Sequence, residues 1–138
     1  MNQDSVERRQ FVKQSAVLAA AASAFPSGAH AQSEESEKIR VALIGCGGRG
    51  TGAAAQALTA DDRTELFAMA DIDSEQRGKS REVLEKNAPS PEQVQVDPER
   101  RFVGFDAFQK VMNTKEIDVV ILTTPPGFRP FHFEAAVN

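Results

Sequence analysis

The stretch IRVALI, residues 39–44, runs directly into GCGGRG, residues 45–50, and this junction decides the fold. The residues 39–44 form a mainly apolar run rich in β-branched side chains, which predicts a strand buried on both faces. Residues 45–50 fit the pattern G-x-G-x-x-G, and an alanine-rich stretch with good helix propensity follows over residues 51–58. The junction therefore predicts a strand, a glycine-rich turn and a helix in direct succession.

A glycine-rich turn in this position is typical of sites that bind dinucleotides. In such sites the backbone N–H groups at the start of the helix face a diphosphate. In that arrangement Gly45 makes the tight turn, Gly47 lets the backbone approach the phosphates, and Gly50 allows the helix to pack closely on the strand. The residues of the turn that we predict to bind the cofactor are Gly45, Cys46, Gly47, Gly48, Arg49 and Gly50.

Parts of this turn have a second interpretation. Cys46 is interpreted as a small filler rather than a nucleophile, because no histidine lies near it in sequence. Arg49 either contacts a phosphate or is an exposed arginine on the first turn of a helix. The turn as a whole is also compatible with a purely structural role, or with a flavin or another nucleotide as the ligand.

Asp71 is the second predicted contact to the cofactor. It stands at the end of a strand predicted over residues 64–70, roughly 20 residues beyond the glycine-rich turn, where a carboxylate accepts hydrogen bonds from the adenosine ribose. A carboxylate at this point also repels a 2′-phosphate. The sequence therefore favours NAD over NADP, and a solvated Asp71 is the alternative.

The rest of the chain continues the alternation of strands and helices. A helix is predicted to begin at Asp73 as N-cap, with Gln76 as its capping-box partner, and to end near Asn87. The later predicted elements are a loop over 90–99 with a short extended piece at 94–96, an edge strand over 102–105, a helix over 107–112 capped by Asp106, a strand over 116–123 and a helix from Pro130. This order predicts an α/β fold with a parallel sheet and right-handed crossovers.

The turn after the strand at 116–123 is a further candidate site. Ligands of open α/β sheets bind in the crevice at the carboxyl ends of the strands. Thr124 and Pro125 are either contacts to the nicotinamide ribose or part of a plain turn. Arg129 is a candidate contact to a substrate or cofactor oxygen. His132, a lone histidine at a helix start, is either a packed or surface residue or a contact to substrate.

Composition excludes several other classes of protein. The chain has 138 residues, with 16 Lys+Arg against 20 Asp+Glu and a formal charge of −4, which argues against a nucleic-acid partner. One cysteine and two histidines argue against a disulfide and against a metal site. No apolar run approaches the roughly 20 residues that a membrane-spanning helix needs. The size fits one small domain.

The N-terminal residues have the features of an export signal. Arg8 and Arg9 precede an apolar stretch over residues 16–25, and Ala29-His30-Ala31 offers a small-x-small cleavage site. Adjacent arginines point to the twin-arginine route, so we predict a signal peptide over 1–31, a polar linker over 32–38 and a periplasmic or extracytoplasmic location. The alternative is an alanine-rich helix packed on the domain.

Several segments together resemble the Gfo/Idh/MocA oxidoreductase family, and in particular its exported members. They are the twin-arginine leader, VALIGCGGRG at 41–50, ADID at 70–73 and DVVILTTP at 118–125. The resemblance covers about residues 38–138. It implies a Rossmann-like parallel sheet with flanking helices over 39–138, with dinucleotide contacts at Gly45, Gly47, Gly50, Asp71 and the Thr124-Pro125 turn.

The resemblance also implies how the protein acts. Relatives carry a second α/β domain, a catalytic region and a Glu-Lys-Pro motif, so the sheet is expected to be incomplete here and the catalytic residues to lie beyond Asn138. Many relatives have a histidine where this chain has Arg129. The expected activity is hydride transfer between NAD and a sugar or polyol, in a protein that can be a homo-oligomer. A redox-assisted glycosidase of the same superfamily and a non-catalytic dinucleotide-binding fragment remain alternatives, and little turnover is expected from these 138 residues alone.

Overall fold

The computed structural model of the protein describes residues 37–138. The predicted signal peptide and most of the predicted linker lie outside the described residues and stay predictions. Within 37–138, none of the helices combines the length and the apolar character that crossing a bilayer requires.

Four parallel strands form one sheet. The strands are β1 (Ile39–Ile44), β2 (Thr64–Asp71), β3 (Arg101–Val103) and β4 (Val119–Leu122), and their spatial order is β3-β2-β1-β4. Ile44 pairs with Ala70 on one side and with Leu122 on the other, so the carboxyl ends of β1, β2 and β4 are level. This order and the flanking helices confirm the predicted Rossmann-like α/β fold.

Helices cover the two faces of the sheet and bury it. They are α1 (Gly48–Ala60), α2 (Ser74–Asn87), α3 (Ala107–Met112) and α4 (Arg129–Val137), with short 3-10 turns at Pro91–Gln93 and Pro98–Arg100. Side chains alternate between the two faces along a strand. Leu43 and Met69 therefore pack with α1 and α2, while Ala42 and Ala68 pack with α3. Burial on both faces explains why residues 41–44 of β1 and residues 66–70 of β2 are apolar.

Three elements differ in extent from the prediction. The edge strand predicted over 102–105 is Arg101–Val103, because Gly104, with φ +112°, leaves the extended conformation. The helix predicted over 51–58 begins at Gly48 and ends at Ala60, so the glycine-rich turn itself forms the first turn of α1. The strand predicted over 116–123 is only Val119–Leu122. At its start Asp118 bonds to Arg40 twice, because its N–H donates to the Arg40 carbonyl and its Oδ2 accepts from the Arg40 N–H. The carboxylate thereby takes the place of a ladder hydrogen bond, and regular pairing begins one residue later.

The helix caps are partly as predicted. Asp73 is the N-cap of α2, and its side chain accepts a hydrogen bond from the Glu75 N–H. The predicted capping box is wrong, because the Gln76 amide donates to the carbonyl of Cys46, 30 residues away in sequence, instead of to its own helix end. Asp106 does precede α3, but it makes no side-chain cap there, and its carboxylate pairs with Lys110.

Candidate functional site

A cavity lies where the carboxyl ends of β1, β2 and β4 meet. Its volume is about 580 Å³, within the range of roughly 300–1,000 Å³ that small-molecule sites occupy. Four segments line it: the turn after β1, the end of β2 with the first turn of α2, the turn after β3 with the start of α3, and the turn from β4 into α4. Its charged lining side chains are Arg49, Asp71 and Arg129. The balance of two cations and one carboxylate suits a ligand that carries both phosphates and hydroxyls.

Two glycines bring the first turn of α1 against the end of β1. Gly45 has φ +93°, and a Cβ there would lie 2.9 Å from the backbone nitrogen of Thr124. A Cβ on Gly50 would lie 1.9 Å from the Gly45 carbonyl oxygen. No larger side chain fits at either position without moving the backbone, so both glycines are required by the packing of the turn.

Gly47 differs from these two glycines, because a side chain at its position would point into open space. It is the extended N-cap residue of α1, with φ −68° and ψ −178°, and a Cβ there would have no protein atom within 4 Å. Its N–H has no protein acceptor among the described residues. The N–H groups of the following helical turn also lack intrahelical partners. Gly47 and Arg49 line the cavity, whereas Cys46, Gly48 and Gly50 do not.

Asp71 is held beside this turn by two backbone donors. Its Oδ2 accepts a hydrogen bond of 2.6 Å from the Cys46 N–H, and its Oδ1 accepts one of 3.0 Å from the Asp73 N–H. The side chain is half-buried and lines the cavity. A carboxylate oxygen has more than one lone pair, so the carboxylate is fixed in orientation and can still accept hydrogen bonds from a ligand.

The Cys46 thiol is not available for chemistry. The residue is fully buried, and burial, with a smaller contribution from the Asp71 carboxylate, raises the pKa of the thiol to about 12. Its Sγ donates to the carbonyl of Ala70. A thiol that stays protonated at neutral pH is a poor nucleophile, so the contribution of Cys46 to the site comes from its backbone.

Thr123 joins β4 to the glycine-rich turn. Its hydroxyl donates to the Gly45 carbonyl at 2.6 Å, and its N–H donates to the Ile44 carbonyl. The sequence predicted Thr123 as the last residue of the strand over 116–123 but did not single it out as a site residue. Its partners lie more than 70 residues away, and no local pattern indicates them.

The turn after β4 and the start of α4 form one hydrogen-bonded cluster. The Thr124 hydroxyl lies 3.0 Å from Nδ1 of His132, and Nε of Arg129 donates to the Thr124 carbonyl at 3.0 Å. The Phe108 ring lies 4.3 Å from the imidazole, and burial lowers the pKa of His132. Thr124, Pro125, Arg129 and His132 all line the cavity, so the structure brings the four sequence candidates at this end together.

Two apolar side chains at the cavity rim were not predicted from the sequence as part of the site. Ile72 and Phe105 flank the end of β2 and are 64% and 77% exposed. Exposed apolar surface rimmed by polar groups is typical of interaction sites and ligand-binding grooves. The only local signal was the position of Ile72 directly after Asp71.

The family comparison agrees with this geometry. A family model described as an oxidoreductase family with an NAD-binding Rossmann fold matches residues 39–138. The search of curated proteins gives no match. The matched range begins with β1 and covers every element that lines the cavity.

Proposed function

Because this chain belongs to the Gfo/Idh/MocA family of NAD-binding oxidoreductases, we propose that it binds NAD in the cavity between β1, β2 and β4 and serves the oxidation or reduction of a sugar or polyol. The observation that carries the proposal is the open side of Gly47 next to a carboxylate fixed by two backbone donors. When bound, the nicotinamide supplies hydride transfer. The residues of this chain bind and orient it.

The phosphate end of the site is formed by backbone. The Gly47 N–H and the first turn of α1 donate to phosphate oxygens, and the positive end of the helix dipole adds to the attraction. Gly47 has no Cβ, and a Cβ built there would have nothing within 4 Å, so the turn leaves space for a diphosphate. Arg49 lines the same region and supplies a full positive charge.

Asp71 recognises the adenosine ribose. Its oxygens accept hydrogen bonds from the two ribose hydroxyls, and the neighbouring Ile72 and Phe105 cover the adenine ring. A 2′-phosphate at this point would place its negative charge against the carboxylate. The arrangement therefore supports a preference for NAD over NADP.

The opposite end of the cavity faces the reacting groups. Thr124 and Pro125 contact the nicotinamide ribose, and Arg129 offers a donor to a substrate hydroxyl or carbonyl. His132 holds the Thr124 hydroxyl through Nδ1. Burial lowers the pKa of His132, which favours the neutral imidazole in this contact.

The cofactor proposal is tested by titrating the protein with NADH and following the nicotinamide fluorescence. Asp71→Ala removes the ribose contact and the charge that opposes a 2′-phosphate. We expect it to weaken NADH binding by roughly ten- to hundredfold, as for a charged hydrogen-bonding group worth ~1.5–3 kcal/mol, and to weaken NADPH binding much less. Glu82→Ala, at an exposed carboxylate of α2 outside the cavity, is the matched control and should change neither affinity.

Equal NADH affinities for the wild type and Asp71→Ala would remove Asp71 from the site.

The substrate class is tested on the full gene product that carries these residues, supplied with NAD and a panel of sugars and polyols. Formation of NADH is expected. Release of a sugar without net NADH formation would contradict the oxidoreductase proposal in favour of a redox-assisted glycosidase.

A further inference from the structure

Gln76 reaches from the first turn of α2 to the glycine-rich turn. Its Nε2 donates a hydrogen bond of 3.1 Å to the carbonyl oxygen of Cys46. The side chain is half-buried and lines the cavity. The contact joins two segments that are 30 residues apart in sequence. It therefore helps to fix the shape of the glycine-rich turn and is not a cap of α2.

The held carbonyl belongs to the peptide unit that also carries the Gly47 N–H. A trans peptide is planar, and its C=O and N–H point in opposite directions; no cis peptide occurs among the described residues. Fixing the Cys46 carbonyl towards α2 therefore directs the Gly47 N–H away from α2. The Cys46 N–H is already bonded to Asp71, so the peptide units on both sides of Cys46 are fixed by side chains.

A second contact ties the next peptide unit to α2. The Thr51 hydroxyl donates to the Gly47 carbonyl at 3.0 Å and lies 2.7 Å from Oγ of Ser80, which is buried on α2. Two consecutive carbonyls of the turn are thus held, directly or through Thr51, by one helix. The hydrophobic packing of α2 rests on other residues, chiefly Leu84.

We propose that Gln76 is a positioning residue for dinucleotide binding, which orients the Cys46–Gly47 peptide so that the Gly47 N–H faces the diphosphate. The proposal rests on the proposed function. Without the amide donor the Cys46 carbonyl keeps only the longer contact of 3.4 Å from the Thr51 hydroxyl, and the peptide can rotate about the Cys46 Cα–C and Gly47 N–Cα bonds. Affinity for the diphosphate then falls, whereas the ribose contact at Asp71 is retained.

The test compares a ligand that has the diphosphate with one that lacks it. Gln76→Met keeps the length of the side chain and removes the donor, and Gln109→Met makes the same change at an exposed position of α3 outside the cavity. Binding of NADH and of adenosine is measured by calorimetry. We expect Gln76→Met to weaken NADH binding about five- to tenfold, as for loss of one hydrogen bond, and to leave adenosine binding within about twofold. Gln109→Met should change neither.

Gln76→Glu is the second variant. A carboxylate has no hydrogen to donate and adds negative charge beside the phosphates, so we expect a larger loss of NADH affinity than for Gln76→Met with adenosine again unaffected. An equal loss of both ligands in the two variants would show a merely structural role and overturn the proposal, as would unchanged NADH binding. If the wild type binds no NADH, the proposed function itself fails.

Discussion

Gly50 and Gly52 lie two residues apart in α1, and their surroundings are opposite. A Cβ on Gly50 would lie 1.9 Å from the Gly45 carbonyl oxygen and 2.6 Å from the Thr123 hydroxyl, whereas a Cβ on Gly52 would meet nothing within 4 Å. The close approach of α1 to the end of β1 therefore depends on Gly50 alone of the two. This difference gives a matched pair of substitutions within one helix.

We predict opposite effects of alanine at these two positions on the free energy of unfolding. Gly50→Ala forces the backbone apart and should lower it by about 1–3 kcal/mol or more. Gly52→Ala reduces the entropy of the unfolded chain at a helical position and should raise it by about 0.5–1 kcal/mol. Urea unfolding followed by circular dichroism measures both. A tolerated Gly50→Ala would mean that α1 does not pack on β1 as closely as the structure has it.

At the residue scale the sequence predicts contacts only where a motif encodes them. The spacing of G-x-G-x-x-G indicated Gly45 and Gly50 because the turn has no room for a Cβ at either position. Gln76 has the spacing of a capping box from Asp73, yet its amide bonds to Cys46. The competing acceptor belongs to another segment, so local spacing carries no information about it.

At the scale of the elements, α4 docks on α3 largely through His132. The imidazole is buried, lies 4.3 Å from the Phe108 ring and bonds to the Thr124 hydroxyl. By contrast, Phe131 and Phe133 on the same helix are more than 60% exposed. One buried titratable group therefore couples the position of this helix to pH.

We predict that this coupling destabilises the fold in acid. Burial lowers the pKa of His132 in the folded chain below the usual value of about 6.5, so the unfolded chain binds more protons once the pH falls below that value. The stability is thus fully present above the unfolded pKa and is lost as the pH falls through the folded pKa. Urea unfolding at a series of pH values should show a steeper loss for the wild type than for His132→Phe, which keeps a ring at this position. Identical pH dependences would contradict the burial of His132.

The elements themselves followed from the sequence where burial governs them. Apolar runs predicted β1 and β2 within one residue, because both strands are covered on two faces. The first residue of β4 was not predictable, since it is set by the two hydrogen bonds between Asp118 and Arg40. The start of α1 was missed because glycines are poor helix formers, and here the packing of the turn overrides that preference.

At the scale of the whole molecule, the site exists because three strand ends meet. The order β3-β2-β1-β4 places β1 between β2 and β4, which brings Asp71 and the Thr124-Pro125 turn to either side of the glycine-rich turn. The alternation of strands and helices predicted a parallel sheet, whereas the order of its strands was not predicted from the sequence. The hydrogen bonds that join Asp71 to Cys46 and Thr123 to Gly45 depend on this assembly and could not be derived from the separate segments.

In the proposed function a diphosphate lies against the backbone at Gly47. A ligand that binds only the folded state raises the free energy of unfolding by about 1.4 kcal/mol for each tenfold excess of its concentration over Kd. Gly47→Ala places a methyl group in open space and, as an N-cap change, should cost the unliganded protein no more than about 1 kcal/mol. The methyl group would nevertheless project into the space beside the turn where the proposed function places the diphosphate.

The most direct measurement is therefore urea unfolding of the wild type and of Gly47→Ala, each with and without millimolar NADH. We predict that NADH stabilises the wild type and that Gly47→Ala, folded and nearly as stable alone, loses most of that stabilisation. The same stabilisation in both proteins, or none in the wild type, would contradict diphosphate binding at Gly47.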